Sequence, residues 1–152
     1  MSKELKKQLW KTIQEQGTVM VGLSKDGLHS EPMQAQVDKN NENSLWFYTF
    51  KDNRVAEGGK SMLQFVGKKH EIFSCMGGQL TEEKDSAKID KFWSKDIEAW
   101  YKDGKSDKNL LMMRFDLDDA EIWTRDPSLA AKLKMATGAS ISANEAGDHI
   151  RV

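Results

Sequence analysis

Between residues 19 and 50 the apolar pattern has a period of two, and that dictates a sheet. Val19, Val21 and Leu23 fall on one side while Met20, Gly22 and Ser24 fall on the other, an alternation that suits a strand and not a helix. Asp26 and Gly27 supply the turn, because Gly reaches positive φ without steric cost and Asp tolerates the left-handed region. A return strand begins near Leu28 and carries Met33, Ala35 and Val37 on one face, until the polar run 38–43 closes it. Residues 45–50 are then apolar or aromatic at nearly every position, so neither face of this third strand is freely solvated. A strand covered on both faces belongs in a barrel or between two layers.

The 152 residues suffice for one domain with a core. The expected division is a single domain over residues 1–137, including an N-terminal helix and a helical insertion at 82–101. Residues 138–152 show no period and are expected to form a loose or docking tail. A formal charge of −1, with acidic and basic residues interspersed, offers no field for a nucleic-acid backbone. The one cysteine, Cys75, excludes an intramolecular disulfide and points to a reducing compartment. Residues 1–11 contain no apolar run of signal-peptide length, and no stretch is long and apolar enough to span a bilayer. The expectation is a cytoplasmic protein with no membrane partner.

Along the chain, Leu5, Leu9 and Ile13 are spaced for an amphipathic helix, with Ser2 as its cap and Gly17 as its stop. Residues 51–59 suit a short helix or helical turn ending at Gly58 and Gly59. Residues 62–67 and 70–80 read as a hairpin about Gly67, and Gly77–Gly78 suggests a bulge or a close backbone approach. Thr81 is placed to cap a helix through Trp93, followed by a second short helix at 94–101. Residues 110–117 and 120–124 read as two antiparallel strands parted by Asp118 and Asp119. Asp126 and Pro127 then open a last helix carrying Leu129, Ala130 and Leu133. Neighbouring hairpins with helices gathered outside favour a mainly β, closed antiparallel sheet over a doubly wound parallel one.

Most catalytic signatures are missing. There is no Gly-x-Gly-x-x-Gly after the first strand and no phosphate loop of the Walker type. His29, His70 and His149 are scattered, so no metal site is expected. Cys75 lies in an alternating strand, as a buried small hydrophobe does. The acidic pairs fit caps, turns and solvated faces, and Lys68–Lys69 is too small a patch for nucleic acid.

Several ordered motifs carry a likeness. Leu28-His29-Ser30-Glu31-Pro32-Met33, then Leu45-Trp46-Phe47-Tyr48-Thr49, then Phe92-Trp93, Ala99-Trp100-Tyr101, Asp103-Gly104 and the strands of 110–123 together resemble the pyridoxamine 5'-phosphate oxidase-like FMN-binding split-barrel family. The likeness is to its general stress protein branch and covers roughly residues 3–125. It implies a six-stranded antiparallel split barrel that forms a homodimer, with FMN held in clefts at the subunit interface. On that likeness the segment His29, Ser30, Glu31, Pro32, Met33 and Gln34 runs beside the isoalloxazine and ribityl groups. Phe47, Tyr48 and Thr49 line the cofactor, and Asn53 and Arg54, opening the next helix, meet the phosphate. Trp123 reaches the flavin of the other subunit. Trp46 or Tyr48 is suited to cover the ring, although core packing is the alternative for each aromatic.

Glu31 departs from the branch, which commonly has Arg there. A carboxylate repels a phosphate dianion unless it points away or pairs with Arg54 or Lys51, which leaves FMN as the expected cofactor with two alternatives open, a weak or absent affinity and a displaced ligand pose. Two functions therefore stand side by side. One is an FMN-dependent oxidoreductase acting on a small molecule or reductant. The other is a non-catalytic flavin- or ligand-binding stress-related protein, or a split barrel that has lost its cofactor.

Overall fold

Ala35 is the residue on which the sheet closes. The computed structural model describes residues 3–128, 131, 142–144 and 147–151. In chain order these form α1 (Lys3–Gln16), β1 (Thr18–Leu23), β2 (Glu31–Gln34), β3 (Gln36–Val37), β4 (Ser44–Phe50), β5 (Gly59–Val66), β6 (Ile72–Glu82), α2 (Ser86–Phe92), α3 (Lys95–Glu98), β7 (Leu110–Thr124), β8 (Ser142–Asn144) and β9 (Gly147–Arg151). The strands lie in the order β2-β1-β5-β6-β7-β4-β3, with every pairing antiparallel. Ala35 separates β2 from β3 and donates its N–H to Gly17 O at 2.7 Å. Because β2 pairs with β1 and β3 with β4, this one break carries the chain from one sheet edge to the other. The result is a nearly closed, mainly β split barrel of seven segments, or of six strands when β2 and β3 count as one.

The inward rows of the barrel make the core. Val19, Val21, Leu45, Phe47, Leu63, Phe65, Met76 and Phe115 are all buried there, and α1 adds Leu9, Trp10 and Ile13. Gly17 ends α1 at φ +84°, and its N–H donates to Ile13 O at 2.6 Å, the left-handed stop expected of Gly. β4 is covered on both sides, as its unbroken apolar pattern requires: Leu45 and Phe47 face the core, while Trp46 is buried on the other face beneath α2.

β7 corrects the expected pair of strands. It is one strand of 15 residues, paired with β4 along its first half and with β6 along nearly all of its length. The register slips where Gly77 faces Asp119 and Gly78 faces Leu117, so Asp118 is an extra residue in a bulge and not a turn. Gly78 makes this possible, since a Cβ there would fall 2.2 Å from Asp116 O and 2.6 Å from the Phe115 ring. The expected close approach to the glycine pair is therefore made by β7 itself.

Two other boundaries move. β6 runs on to Glu82, opposite Met113, so Thr81 is a strand residue and Asp85 caps α2 by accepting from Ala87 N. The return strand starts at Glu31, not Leu28. Of the two readings of residues 51–59, the turn is the one that forms, with Asn53 N donating to Phe50 O and Ala56 N to Asn53 O. β9 adds to the far end of β7, with Ile150 opposite Ile122 and His149 opposite Trp123. Ser2, Leu129, Ala130 and Leu133 lie outside the described residues. Among the described residues, no helix is long and apolar enough to cross a membrane, and no three His, Cys, Asp or Glu gather as a metal site would need.

Candidate functional site

The outer side of β4 bears Trp46, Tyr48 and Phe50, and each meets a ring from the helical insertion. Trp46 lies 5.6 Å from Phe92, Tyr48 meets Trp93 edge-on at 5.7 Å, and Phe50 lies 4.9 Å from Tyr101. Two hydroxyls fasten the contact: Tyr48 donates to Ile89 O at 2.6 Å and Tyr101 to Thr49 O at 2.7 Å. Burial raises the pKa of both phenols, with Asp90 adding to the rise at Tyr48 and Asp107 at Tyr101, which is pushed up to about 12. Both are neutral donors near pH 7, committed to backbone carbonyls, and neither is placed to act as a base.

A charged cluster fixes the same insertion further along. Asp38, 3% exposed, receives Lys88 Nζ at 2.6 Å and Lys91 Nζ at 2.8 Å. These two ammonium groups hold its carboxyl well below the usual range. Lys88 also stands 4.7 Å over the Trp46 ring. Glu83 accepts from Trp46 Nε1 at 3.0 Å and from Arg114 at 3.3 Å. Trp46 is thus enclosed by the groups that join α2 to β4.

Between β2, the end of β4 and α3 lies a cleft of ≈ 600 Å³, within the range that holds a small-molecule ligand. Pro32, Met33 and Gln34 line one side, Tyr48, Thr49, Phe50 and Asn53 another, and Ser94, Asp96, Ile97, Trp100 and Tyr101 the third. Trp100 is 75% exposed. Its ring lies at the cleft with most of its surface in water.

Of the residues expected to bind a cofactor, Glu31, Pro32, Met33, Gln34, Tyr48, Thr49 and Asn53 come together here. Trp46 and Phe47 do not line the cleft; both are buried, one under α2 and the other in the core. Ser30 sits over Gly22, where an added Cβ would fall 2.3 Å from its Oγ. His29 is exposed and lends its carbonyl to Arg54 at 3.4 Å. Trp123 faces Phe73 near the other end of β7, roughly 30 Å along the strand from Met113 at a strand's usual rise. The insertion's own contribution, Phe92, Ser94, Asp96, Ile97, Trp100 and Tyr101, was not among the expected site residues. Its aromatic richness was the available signal.

Glu31 does not point away. Asn53 Nδ2 donates to its Oε1, and Arg54 Nε stands 2.9 Å from its Oε2. Asn53 is committed at both ends, since its Oδ1 accepts from Val55 N at 2.9 Å.

A family model described as pyridoxamine 5'-phosphate oxidase like matches residues 4–145. The chain belongs to that family. Its general stress protein branch supplies similar solved structures. A general stress FMN/FAD binding protein from Xanthomonas citri is 36% identical, with a TM-score of 0.73, covering 82% of this chain and 92% of that one. A general stress family protein from Xanthomonas campestris pv. campestris matches at 36% identity and a TM-score of 0.73, covering 82% and 89%. A general stress protein 26 from Jannaschia sp. CCS1 is 20% identical, with a TM-score of 0.77 over 100% and 99% of the two chains, and speaks to the fold alone. No curated protein sequence matches.

The fold is that of FMN-binding split barrels, and FMN can be tested against the residues present. The aromatic end fits, because Tyr48 and Trp100 line a cleft of suitable size. The phosphate end fits only in part. Of the three donors suited to it, Thr49 lines the cleft, while Asn53 and Arg54 each give a donor to Glu31, and no helix N-terminus is formed at 51–57.

Proposed function

We propose that this protein binds the ring of a flavin-type ligand in the cleft between β2, β4 and α3, as a homodimer. The observation that carries the reading is the exposed Trp100 ring at a cleft whose remaining walls are already ordered by the Tyr48 and Tyr101 hydrogen bonds. A bound flavin supplies hydride or electron transfer through its own ring. The chain's part is to stack on that ring, orient it and exclude water from one side. As an oxidoreductase it would act on a small molecule or reductant reaching the open side, in a reducing cytoplasm.

Pairing of two copies is supported by the outer face of β1, β5 and β6. Met20, Met62 and Val66 are exposed there, with Pro32 opposite Met20 and Phe73 opposite Val66. Such an apolar stripe suits the centre of an interface. A second reading, a ligand-binding protein without catalysis, is favoured by the two tyrosine hydroxyls being tied to backbone carbonyls. It is separated from the first by turnover of a nicotinamide reductant.

Riboflavin titration followed by quenching of flavin fluorescence tests the shared claim. Wild type is expected to bind in the micromolar range, and Trp100→Ala to bind about tenfold more weakly, on the scale of one lost stacking contact. Because Trp100 is largely exposed, the variant should keep its stability and its sedimentation as a dimer. Equal affinity would remove Trp100 from the site, and a monomer at micromolar concentration would remove the pairing.

A further inference from the structure

We propose that Glu31 is a resident anion that takes the place of a ligand phosphate, so that the cleft selects an unphosphorylated flavin over FMN. The inference rests on the flavin reading above and goes on to say which flavin.

The geometry of residues 29–55 carries it. Glu31 lies at the start of β2, where it lines the cleft, and its two oxygens are taken by different partners. Oε1 accepts from Asn53 and Oε2 pairs with Arg54. A phosphate approaching either residue meets a carboxylate built into the chain beside it. Asn53 keeps one further N–H on its amide nitrogen, but Glu31 at one end and Val55 N at the other fix how that amide is turned. Arg54 also reaches the His29 carbonyl through Nη1 at 3.4 Å, so two of its five N–H groups are directed at the chain.

The charge of the lining points the same way. Among the described residues, the cleft is lined by two carboxylates, Glu31 and Asp96, and by no lysine or arginine. Asp96 lies in the first turn of α3. Arg54 offsets part of the Glu31 charge, so a dianion entering this space meets a repulsion that is reduced on the Glu31 side and undiminished toward Asp96. A sugar-alcohol tail ending in hydroxyls meets acceptors, because an ionised carboxylate can only accept and a hydroxyl can donate. The shape therefore suits a ring stacked on Trp100 with a neutral, hydroxyl-bearing tail toward Glu31 and Asp96. Riboflavin has that chemistry.

The test is a paired titration of riboflavin and FMN into wild type, Glu31→Gln and Glu31→Arg, each first checked for native circular dichroism and wild-type sedimentation. Wild type should bind riboflavin at least about tenfold more tightly than FMN at low salt. Raising the salt should narrow that gap by strengthening FMN binding alone, since screening weakens a repulsion. Glu31→Gln should release Asn53 and Arg54 and move the preference toward FMN by about tenfold, and Glu31→Arg should move it further. The salt series needs no variant, so it decides the matter even where a substitution disturbs folding. FMN binding to wild type as tightly as riboflavin, or weakening as salt is added, would overturn the resident anion while leaving the flavin cleft standing. Failure of both flavins to bind folded wild-type protein would overturn the flavin reading and this inference together.

Discussion

Two carboxylates near the second strand of the barrel, Asp38 and Glu31, make similar bonds to opposite ends. Asp38 is 3% exposed and holds Lys88 and Lys91, which brings α2 down over Trp46. Glu31 has a side chain 26% exposed, and it holds Asn53 and Arg54 at a cleft left open among the described residues. One pairing replaces water with protein and joins two elements distant in sequence. The other stays partly in water and ties β2 to the turns after β4 at the edge of the cleft. The first pair excludes solvent, and on the inference above the second excludes a competing anion.

The contrast breaks most sharply on stability. Asp38→Ala should cost about 2–3 kcal/mol in urea unfolding, somewhat below the loss for a fully buried pair because both lysines keep partial access to water. Glu31→Gln should cost less than about 1 kcal/mol, the usual worth of a half-exposed pair. Equal losses would mean that both carboxylates serve the fold alone.

A smaller effect sharpens the same difference through pH. Lys88, then Lys91, lowers the Asp38 pKa in the folded state, so the unfolded chain takes up the proton first as pH falls. The stability contributed by Asp38 is fully present above about pH 4, the ordinary carboxylate range, and is lost as pH drops toward the folded value. The difference in unfolding free energy between wild type and Asp38→Asn should therefore shrink steadily below about pH 4 and be flat between pH 5 and 7. A gap that widened on acidification would contradict the pairing.

Much of the barrel was legible because its signals are local. The alternation at Val19–Leu23, the doubly covered run before Phe50, the Gly17 stop and the Gly77–Gly78 irregularity each follow from a few adjacent residues. β7 was misread for a physical reason: Asp118 and Asp119 have turn chemistry, but strands on both sides keep the chain extended, and only the glycines opposite reveal a bulge. Thr81 likewise has the chemistry of a cap, yet pairing with Arg114 keeps it in β6. The cleft was half legible. Residues 31–34 and 48–53 were named, whereas Asp96 and Trp100 were not, because nothing local says where an insertion folds back. The partnership of Glu31 with Arg54 was anticipated as one of two ways to tolerate the carboxylate, and the fold selects it.

The most direct measurement is a crystal structure of the wild-type protein grown with riboflavin. The ring is expected against Trp100 and Tyr48, with the Glu31 carboxylate still on Asn53 and Arg54 and a second copy beside the Met20–Met62 face. A ring bound elsewhere, or Glu31 swung away with its donors turned to the ligand, would contradict the account.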